Sequence, residues 1–498
     1  MSEELPGGWG PTLADLAERR AAARAMGGEE RLGRHRGSGK LDARARIDHL
    51  LDPGSFHEIG TLVGTLPADG IVAGSGTIDG RPVMVGAEDF TVAAGTIASG
   101  SNAKRYRIAE LALHERVPLV MLLEGAGFRP TERSHARAPT DLLMQARCSG
   151  HVPIVTGVLG PSAGHGALIA PMSDFTVMTE QGAIFTAGPP VVKESIGETV
   201  TKEDLGGPSV AVPSGLIHNV APHDEGALDQ IRLYLSYFPS SAWSYPSRGH
   251  GPDQGPRAVD ELLSIIPRDG RRVYDMRRVL DVLADDGQWF EIQPGFGGAI
   301  ICALAHLGGQ PVGIVANQPM VLAGSIDSAA ADKAAHLIMV ADSFHLPLVF
   351  LADNPGVLPG KASEREGILR SGARMFAAQT QATTPKINVT IRKAYGFGSM
   401  VMAMIGFDQQ SATFAFPGAT LGAMGAKASS RAMHADEEAS DELRDAELDA
   451  SYRSAAMLGF DELIDPRETR NAVLSALARA MQRRQAAPEP VSRTAITP

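Results

Sequence analysis

The feature that most constrains this 498-residue chain is an internal duplication. The segment from Gly80 matches the segment from Gly309 without a gap, at an offset of 309 minus 80, or 229. Pro82 meets Pro311, Val83 meets Val312, Val92 meets Val321, Gly95 meets Gly324, Ile97 meets Ile326, Ser99 meets Ser328 and Lys104 meets Lys333. The register continues through Ala112 with Ala341, Pro118 with Pro347, Val120 with Val349, Glu124 with Asp353, Gly127 with Gly356 and Pro130 with Pro359. Past a three-residue insertion, Pro153 meets Pro385, Gly164 meets Gly396 and Gly166 meets Gly398. Chance likeness of two apolar stretches does not keep glycines, prolines and an acid in one register, so the chain reads as two copies of one fold.

Each copy reads as strand, turn, strand, loop, helix, strand, loop. In the first, residues 81–87 form a strand after the Asp79-Gly80 turn, 101–115 a helix and 118–123 a buried strand. In the second, 311–316, 328–343 and 347–351 take the same parts. Strands alternating with helices imply an α/β fold with parallel pairing and crossovers. Residues 13–34 alternate apolar and charged side chains in a helical pattern that ends near Gly27-Gly28. The Pro/Gly/Ser-rich stretch 239–258 sustains neither a helix nor a central strand, and the domain boundary is placed there. The expected organisation is a helical extension at 1–38, one domain at 39–240, a linker at 241–258 and a second domain at 259–498.

Composition excludes several function classes. The chain has 57 acidic against 46 basic residues, a net charge of −11, which argues against nonspecific nucleic-acid binding. Cys148 and Cys302 are too few for a disulfide framework or a thiolate zinc ribbon and read as buried apolar residues. Met1–Pro6 lacks a basic start followed by an apolar core, and no stretch has about 18 uninterrupted apolar residues, so a cytoplasmic location is expected, with no membrane contact.

Both copies place a glycine-containing loop after the buried strand, Glu124-Gly125-Ala126-Gly127-Phe128-Arg129 and Asp353-Asn354-Pro355-Gly356-Val357. Both place a second loop before an apolar helix, Gly160–Gly166 and Lys393–Gly398. Such loops point unpaired N–H groups at whatever lies in front of them, and facing pairs form a hole for negative charge on oxygen. Competing motifs fail. Arg36–Leu41 resembles part of a phosphate loop, but Leu41 replaces the hydroxyl residue and Arg34 the first glycine. Gly74–Gly80 precedes a strand and reads as a hairpin turn. No Gly-x-Ser-x-Gly elbow surrounds Ser162, and His114, His135, His151 and His165 show no ligand spacing on a helix face, so no metal is expected. The acidic run from Asp436 to Asp449 reads as a solvated helix face.

A family resemblance rests on Gly39–Asp48 (GKLDARARID), Leu51–Phe56 (LDPGSF), Glu88–Val92 (EDFTV), Lys202–Gly207 (KEDLGG), Ala316–Pro319 (ANQP), Arg392–Gly396 (RKAYG) and Ile464–Arg470 (IDPRETR). Together they resemble the carboxyltransferase (β) subunit of biotin-dependent acyl-CoA carboxylases, of the propionyl-CoA and acetyl-CoA carboxylase type. The likeness runs from about residue 39 to 475. It implies two tandem crotonase-like (ClpP/crotonase) domains, each a superhelix of β-β-α units. Acyl-CoA would bind the first domain, and biotin, on a separate carrier, the second. The active site would form between subunits of a homo-oligomer, usually a hexamer. Biotin carboxylase and biotin carrier partners would act in trans, since neither a Met-Lys-Met biotin attachment site nor an ATP-binding region is present.

Carried across, Gly164, His165 and Gly166 would hold the acyl thioester oxygen, with Ala126, Gly127, Phe128, Arg129 and Met400 shaping the substrate pocket. Phe397 and Gly398 would hold the biotin ureido oxygen, with Asn354, Pro355, Gly356, Tyr395 and Gly396 around it. Backbone donors at both oxygens would make a side-chain acid or base unnecessary. Three departures stand out. Glu124–Arg129 replaces the common Asp-Ser-Gly-Gly-Ala-Arg, His165 stands where a second glycine is usual, and Phe397-Gly398-Ser399-Met400 replaces Gly-Ala-Tyr-Asp. Either the acyl pocket is reshaped or carboxyl transfer is altered or lost. The alternatives are a decarboxylase or transcarboxylase of the same fold, and a non-catalytic acyl-CoA-binding paralogue.

Overall fold

The computed structural model describes residues 6–129, 139–404 and 409–491; Met1–Leu5, Pro130 and His135 of the readings above lie outside them. The chain divides into two compact units, one reaching Ser236 and the other running from Tyr237 to Pro490.

In the first unit, the strands Ile71–Ile78 and Arg81–Glu88 form an antiparallel hairpin, with Ile71 opposite Glu88 and Ile78 opposite Arg81. The residues read as a turn from Gly74 onward are mostly strand; the reversal itself is confined to Asp79 and Gly80, both at positive φ. The chain then crosses through the helix Ser99–Glu115 to Leu119–Gly125, which pairs parallel with Arg81–Glu88. A second crossover, carrying Asp141–Cys148, leads to the parallel strand Ile154–Ala163. The β-branched and leucine-rich runs suit strands buried on both faces.

The second unit repeats this register. Ile300–Leu307 and Gln310–Asn317 form the hairpin, Ser328–Ser343 the crossover helix, and Leu348–Asn354 and Lys386–Tyr395 the parallel strands. Met84 lies opposite Leu119 and Gly313 opposite Leu348, one pair displaced from the other by the sequence offset. Even the irregularities coincide: the pairing slips between Leu123 and Gly125, and between Ala352 and Asn354. The matched lysines explain themselves as well. Buried Lys104 donates to the carbonyls of Ala68 and Ile71 at 3.1 and 2.5 Å, and Lys333 to those of Gln293 and Phe296 at 3.3 and 2.6 Å. Each ties the crossover helix to the segment entering the hairpin strand.

Two further readings need correction. The helical pattern over 13–34 is two helices, Gly10–Arg24 and Glu29–Gly37. Gly27 presses against Thr91, where a Cβ would overlap the Thr91 carbonyl, and Met26 and Gly28 take positive φ to make that approach. The segments Gly160–Ala163 and Lys393–Tyr395 are not loops but the ends of long strands. They stay extended because short parallel strands, Ala183–Phe185 and Thr420–Gly422, pair with them. In the helix Glu437–Leu448 no residue is buried, yet the Glu447 carboxylate accepts from the Tyr395 hydroxyl and the Ala426 N–H at its edge.

Residues 241–258 contain no helix or strand. Arg470 fixes part of this stretch by donating to the carbonyls of Asp253 and Gly255. Cys148 and Cys302 are buried, and burial pushes both thiols up to about 12. Among the described residues, no helix is long and apolar enough to cross a membrane.

Candidate active site

Each unit builds the same backbone device at the end of its two central parallel strands. It starts with three consecutive left-handed residues, Ala93-Ala94-Gly95 and Leu322-Ala323-Gly324. Glycine closes both turns because a Cβ on Gly95 would overlap the Glu124 carbonyl, and one on Gly324 that of Asp353. The turn leads Ile97 alongside Phe128 and Ile326 alongside Val357. Ile97 N–H donates to the Gly127 carbonyl at 2.7 Å, and Ile326 N–H to that of Gly356 at 3.1 Å. Across a trans peptide the next N–H points the opposite way, so the N–H groups of Phe128 and Val357 face away from these bonds. Gly127 and Gly356 have φ of 86° and 118°, which only glycine adopts freely.

The second half of the device is the turn where each long strand becomes helical. Gly164, at φ 58°, opens the helical segment Gly164–Met172, and Gly396, at φ 52°, opens Gly396–Val401. First-turn N–H groups have no intrahelical acceptor. The two halves touch. A Cβ on Gly127 would lie 3.2 Å from the Ala163 carbonyl; one on Gly398 would lie 2.8 Å from Gly356 Cα and overlap Asn354 Oδ1.

Side chains around the two devices differ in charge. In the first unit, Glu88 Oε2 accepts the Glu124 N–H at 2.9 Å; in the second, Asn317 Oδ1 accepts the Asp353 N–H at 3.0 Å. Glu88 and Asn317 are 229 positions apart, so a carboxylate and an amide fill one role. Burial pushes Glu88 up, opposed by the fully buried Arg105, whose Nη1 donates to it at 2.7 Å. Arg105 also donates through Nε to Asp141 Oδ2 at 2.6 Å and through Nη2 to the Gly166 carbonyl at 3.3 Å. Burial disfavours the charge on Asp141, but Arg105 and a short bond from His165 Nε2 outweigh it and hold the carboxyl well below its usual range. Nothing in the sequence pattern linked Glu88, Arg105 and Asp141 to the turn at 164–166; only the motif containing Glu88 had drawn notice.

The residues nominated from sequence fall into distinct settings. Gly164, His165, Gly166, Ala126 and Gly127 meet at one device, and Asn354, Pro355, Gly356, Gly396 and Gly398 at the other. Ala126 donates its N–H to the Ala94 carbonyl at 2.9 Å, so that donor is engaged. Phe128 is 64% exposed, and Met400 is exposed too. Arg129 turns inward, donating to Asp69 Oδ1 at 2.6 Å and to the Thr96 carbonyl at 2.9 Å. The Tyr395 hydroxyl binds Glu447, and burial raises its pKa, so its polar end serves the fold. The Phe397 ring packs on Gly372, where a Cβ would come within 3.1 Å, and on Phe376 at 5.6 Å between centroids. Gly372 thereby makes room for the larger side chain.

Beside the first device, Arg31, Arg34, His35, Lys40, Phe90 and Lys202 border a cleft of about 550 Å³. Lys40 and Arg46 hold Glu124 at 2.7 and 2.6 Å; burial raises the cost of that charge, but the two cations keep the carboxyl below its usual range. No cluster of three or more His, Cys, Asp or Glu suited to a metal occurs among the described residues.

Comparison with known proteins matches residues 34–494 to the family described as Carboxyl transferase domain. The propionyl-CoA carboxylase carboxyltransferase subunit of Haloferax mediterranei is 36% identical over 96% of this chain and 97% of its own length. The methylmalonyl-CoA decarboxylase subunit alpha of Veillonella parvula is also 36% identical, over 94% of this chain and 96% of its own. A crystal structure of transcarboxylase 12S, described as a hexamer assembly with methylmalonyl-CoA bound, superposes with a TM-score of 0.90 at 35% identity, covering 97% of this chain and 98% of that one.

Proposed function

We propose that this chain, which belongs to the carboxyl transferase family, divides its reaction between the two backbone devices. The chain is an acyl-CoA carboxyltransferase with two crotonase-like domains. In our reading, the device at Ala126–Phe128 and Gly164–Gly166 holds the acyl thioester oxygen. The device at Asn354–Val357 and Gly396–Gly398 holds the ureido oxygen of biotin. The observation that carries this is the repetition of one glycine-dependent geometry at two places, each offering peptide donors rather than an acid or base.

Biotin supplies the transferable carboxyl group when it is bound. The second device suits it chemically: the buried amides beside it, Asn317 and Asn354, are neutral like the ureido ring. The peptide N–H groups of Phe397 and Gly398 would receive the oxygen that gains charge. In the first device, the N–H groups of His165 and Gly166 would stabilise the thioester oxygen as the α-proton leaves and the enolate forms. One well-placed donor of this kind is worth about 3 kcal/mol in the transition state. The net charge of −11 does not oppose CoA, because Arg31, Arg34, Lys40 and Lys202 concentrate positive charge at the cleft beside this device. We assign the CoA phosphates to that cleft.

The relatives named as carboxylase and decarboxylase are equally similar, and the same two devices serve carboxyl transfer in either direction. An active enzyme is favoured over a binding-only protein because Phe397 has a seat on Gly372 and leaves the backbone of its turn in place. Biotin carboxylase and a biotin carrier are the proposed partners, and a homo-oligomer, as in the transcarboxylase hexamer, the proposed assembly. The test is turnover. Purified protein, supplied with carboxylated biotin carrier and a series of short and long acyl-CoAs, should form acid-stable carboxylate; no product with any ester would sink the assignment.

A further inference from the structure

Both halves of the first device are tied to one buried side chain. Arg105, fully buried on the crossover helix Ser99–Glu115, sends its fork to three places. Nη2 donates to the Gly166 carbonyl at 3.3 Å, on the turn where the long strand becomes helical. Nε donates to Asp141 Oδ2 at 2.6 Å, and the other oxygen of that carboxylate binds His165 Nε2, so the turn is gripped at two consecutive residues. Nη1 donates to Glu88 Oε1 at 2.7 Å, and Glu88 Oε2 accepts the Glu124 N–H at 2.9 Å, at the root of the loop that carries Ala126–Phe128.

The duplication shows that the fold itself does not require this arginine. The position 229 residues further along is Ala334, buried on the second crossover helix, and the second unit builds the same hairpin, crossover and parallel strands around it. There Glu88 is matched by Asn317 and Gly125 by Asn354, whose amides bond to each other at 3.1 Å. The halves of the second device meet directly: a Cβ on Gly398 would overlap Asn354 Oδ1 and stand 2.8 Å from Gly356 Cα. In the first device, a Cβ on the matching Gly166 would meet only the side chains of Glu88 and Ile97, at 3.1 Å. The first turn thus lacks the backbone contact that locates the second, and Glu88 and Arg105 bridge turn and loop instead.

We propose that Arg105 is a positioning residue for the acyl half of the reaction: its fork fixes the turn at 165–166 relative to the loop at 124–128, so that their peptide donors are in place before the thioester oxygen gains charge. This rests on reading the first unit as the acyl-CoA site. Donors stabilise a developing oxyanion most when they need not reorganise as the charge appears. A planar guanidinium anchored along three edges supplies that rigidity. The ammonium of a lysine carries the same charge but is a single point on a flexible stem, and it cannot hold the three partners in one plane.

The test is steady-state carboxyl transfer from the carboxylated carrier to propionyl-CoA by the intact chain and by Arg105→Met, Arg105→Lys and Arg470→Met, at a temperature where melting curves show each variant folded. Arg470 is the control for losing a buried cation: it donates to the carbonyls of Asp253, Gly255 and Leu283 and to Asp285, none of them part of either device. Both Arg105 variants should lose at least about tenfold in kcat, a fraction of the 10²–10³-fold that follows complete loss of one donor, with KM for propionyl-CoA within about threefold of the parent. Arg105→Lys should melt closer to the parent than Arg105→Met without regaining kcat, and Arg470→Met should melt early yet keep kcat within about twofold. Parental kcat in Arg105→Lys, a loss confined to KM, or an equal kcat loss in Arg470→Met overturns the positioning role; if Arg105→Met does not fold, Arg105→Lys decides alone. A parent that carboxylates no acyl-CoA at all overturns the acyl-site reading, and this proposal with it.

Discussion

Replacing Gly398 by alanine is the sharpest probe of the second device. The added Cβ would overlap Asn354 Oδ1 and stand 2.8 Å from Gly356 Cα and 3.0 Å from its carbonyl carbon, well inside the 3.4 Å at which ordinary contact begins. Asn354 cannot swing away cheaply. It is fully buried, its Nδ2 donates to Asn317 at 3.1 Å, and its Oδ1 accepts the Gly356 N–H at 3.0 Å. The backbone at 354–356 must move instead, at a cost of about 1–3 kcal/mol for overpacking a tight site. That shifts the melting temperature of a unit this size by about 2–12 °C. The same movement misplaces a donor, and losing one oxyanion donor lowers kcat by roughly 10²–10³-fold. Gly166 is the built-in control. A Cβ there would lie 3.1 Å from Glu88 Oε1 and from Ile97 Cδ1, contacts that ask a few tenths of an ångström of two side chains and no shift of backbone. Gly398→Ala should therefore lose at least tenfold more carboxyl transfer than Gly166→Ala, while propionyl-CoA binding at the first unit is retained. Carboxyl-transfer rates with the carboxylated carrier, together with calorimetry for the ester, decide it. A Gly398→Ala enzyme within threefold of the parent, or a Gly166→Ala enzyme equally impaired, would refute the reasoning.

Other consequences can be measured directly. Arg105→Met leaves Glu88 and Asp141 buried without their cation and should cost about 3–5 kcal/mol in urea titrations, the range for breaking a buried pair. Burial pushes Asp174 up to about 7, so folding is weakened as pH rises from the unfolded value of 3.8 through 7; Asp174→Asn should stabilise the protein at pH 8 and not at pH 4, by denaturant titration at each pH. Both thiols should resist alkylation in the native protein and react fully in denaturant, counted by mass spectrometry. Phe397→Gly should lower stability by about 1–3 kcal/mol without raising carboxyl transfer, because the ring fills space on Gly372 and Phe376; a rise in turnover would favour the binding-only alternative.

Much of the architecture was legible because close backbone approach leaves a mark in sequence. Gly95, Gly324, Gly127, Gly356, Gly164 and Gly396 are all at positive φ, and the repeat was found through such positions. Where the same conformation is imposed on other residues, the mark vanishes: Ala93, Ala94, Leu322 and Ala323 are left-handed although nothing in their identity says so. The long strands through Gly160–Ala163 and Lys393–Tyr395 were read as loops because their glycines and prolines suggest turns locally, while the partners that keep them extended lie about twenty to thirty residues further on. The charged network behind Gly166 was hidden for a related reason. Glu88, Arg105, Asp141 and His165 sit on four different elements, and no spacing rule connects them.

The peptide donors of the two devices carry a consequence for how the protein responds to its surroundings. An amide N–H does not ionise over the range in which proteins remain folded, so the groups that receive charge in this site have no acid or base limb of their own. Acidity can reach catalysis only through the side chains beside these donors: Glu88 and Asp141, paired with Arg105, at the first device, and Asp353, paired with Arg392, at the second. The donors themselves are thus indifferent to proton activity in both halves of the enzyme. Selection on the acidity at which the chain works would then fall on those neighbouring side chains, leaving the backbone of both turns free to keep its geometry.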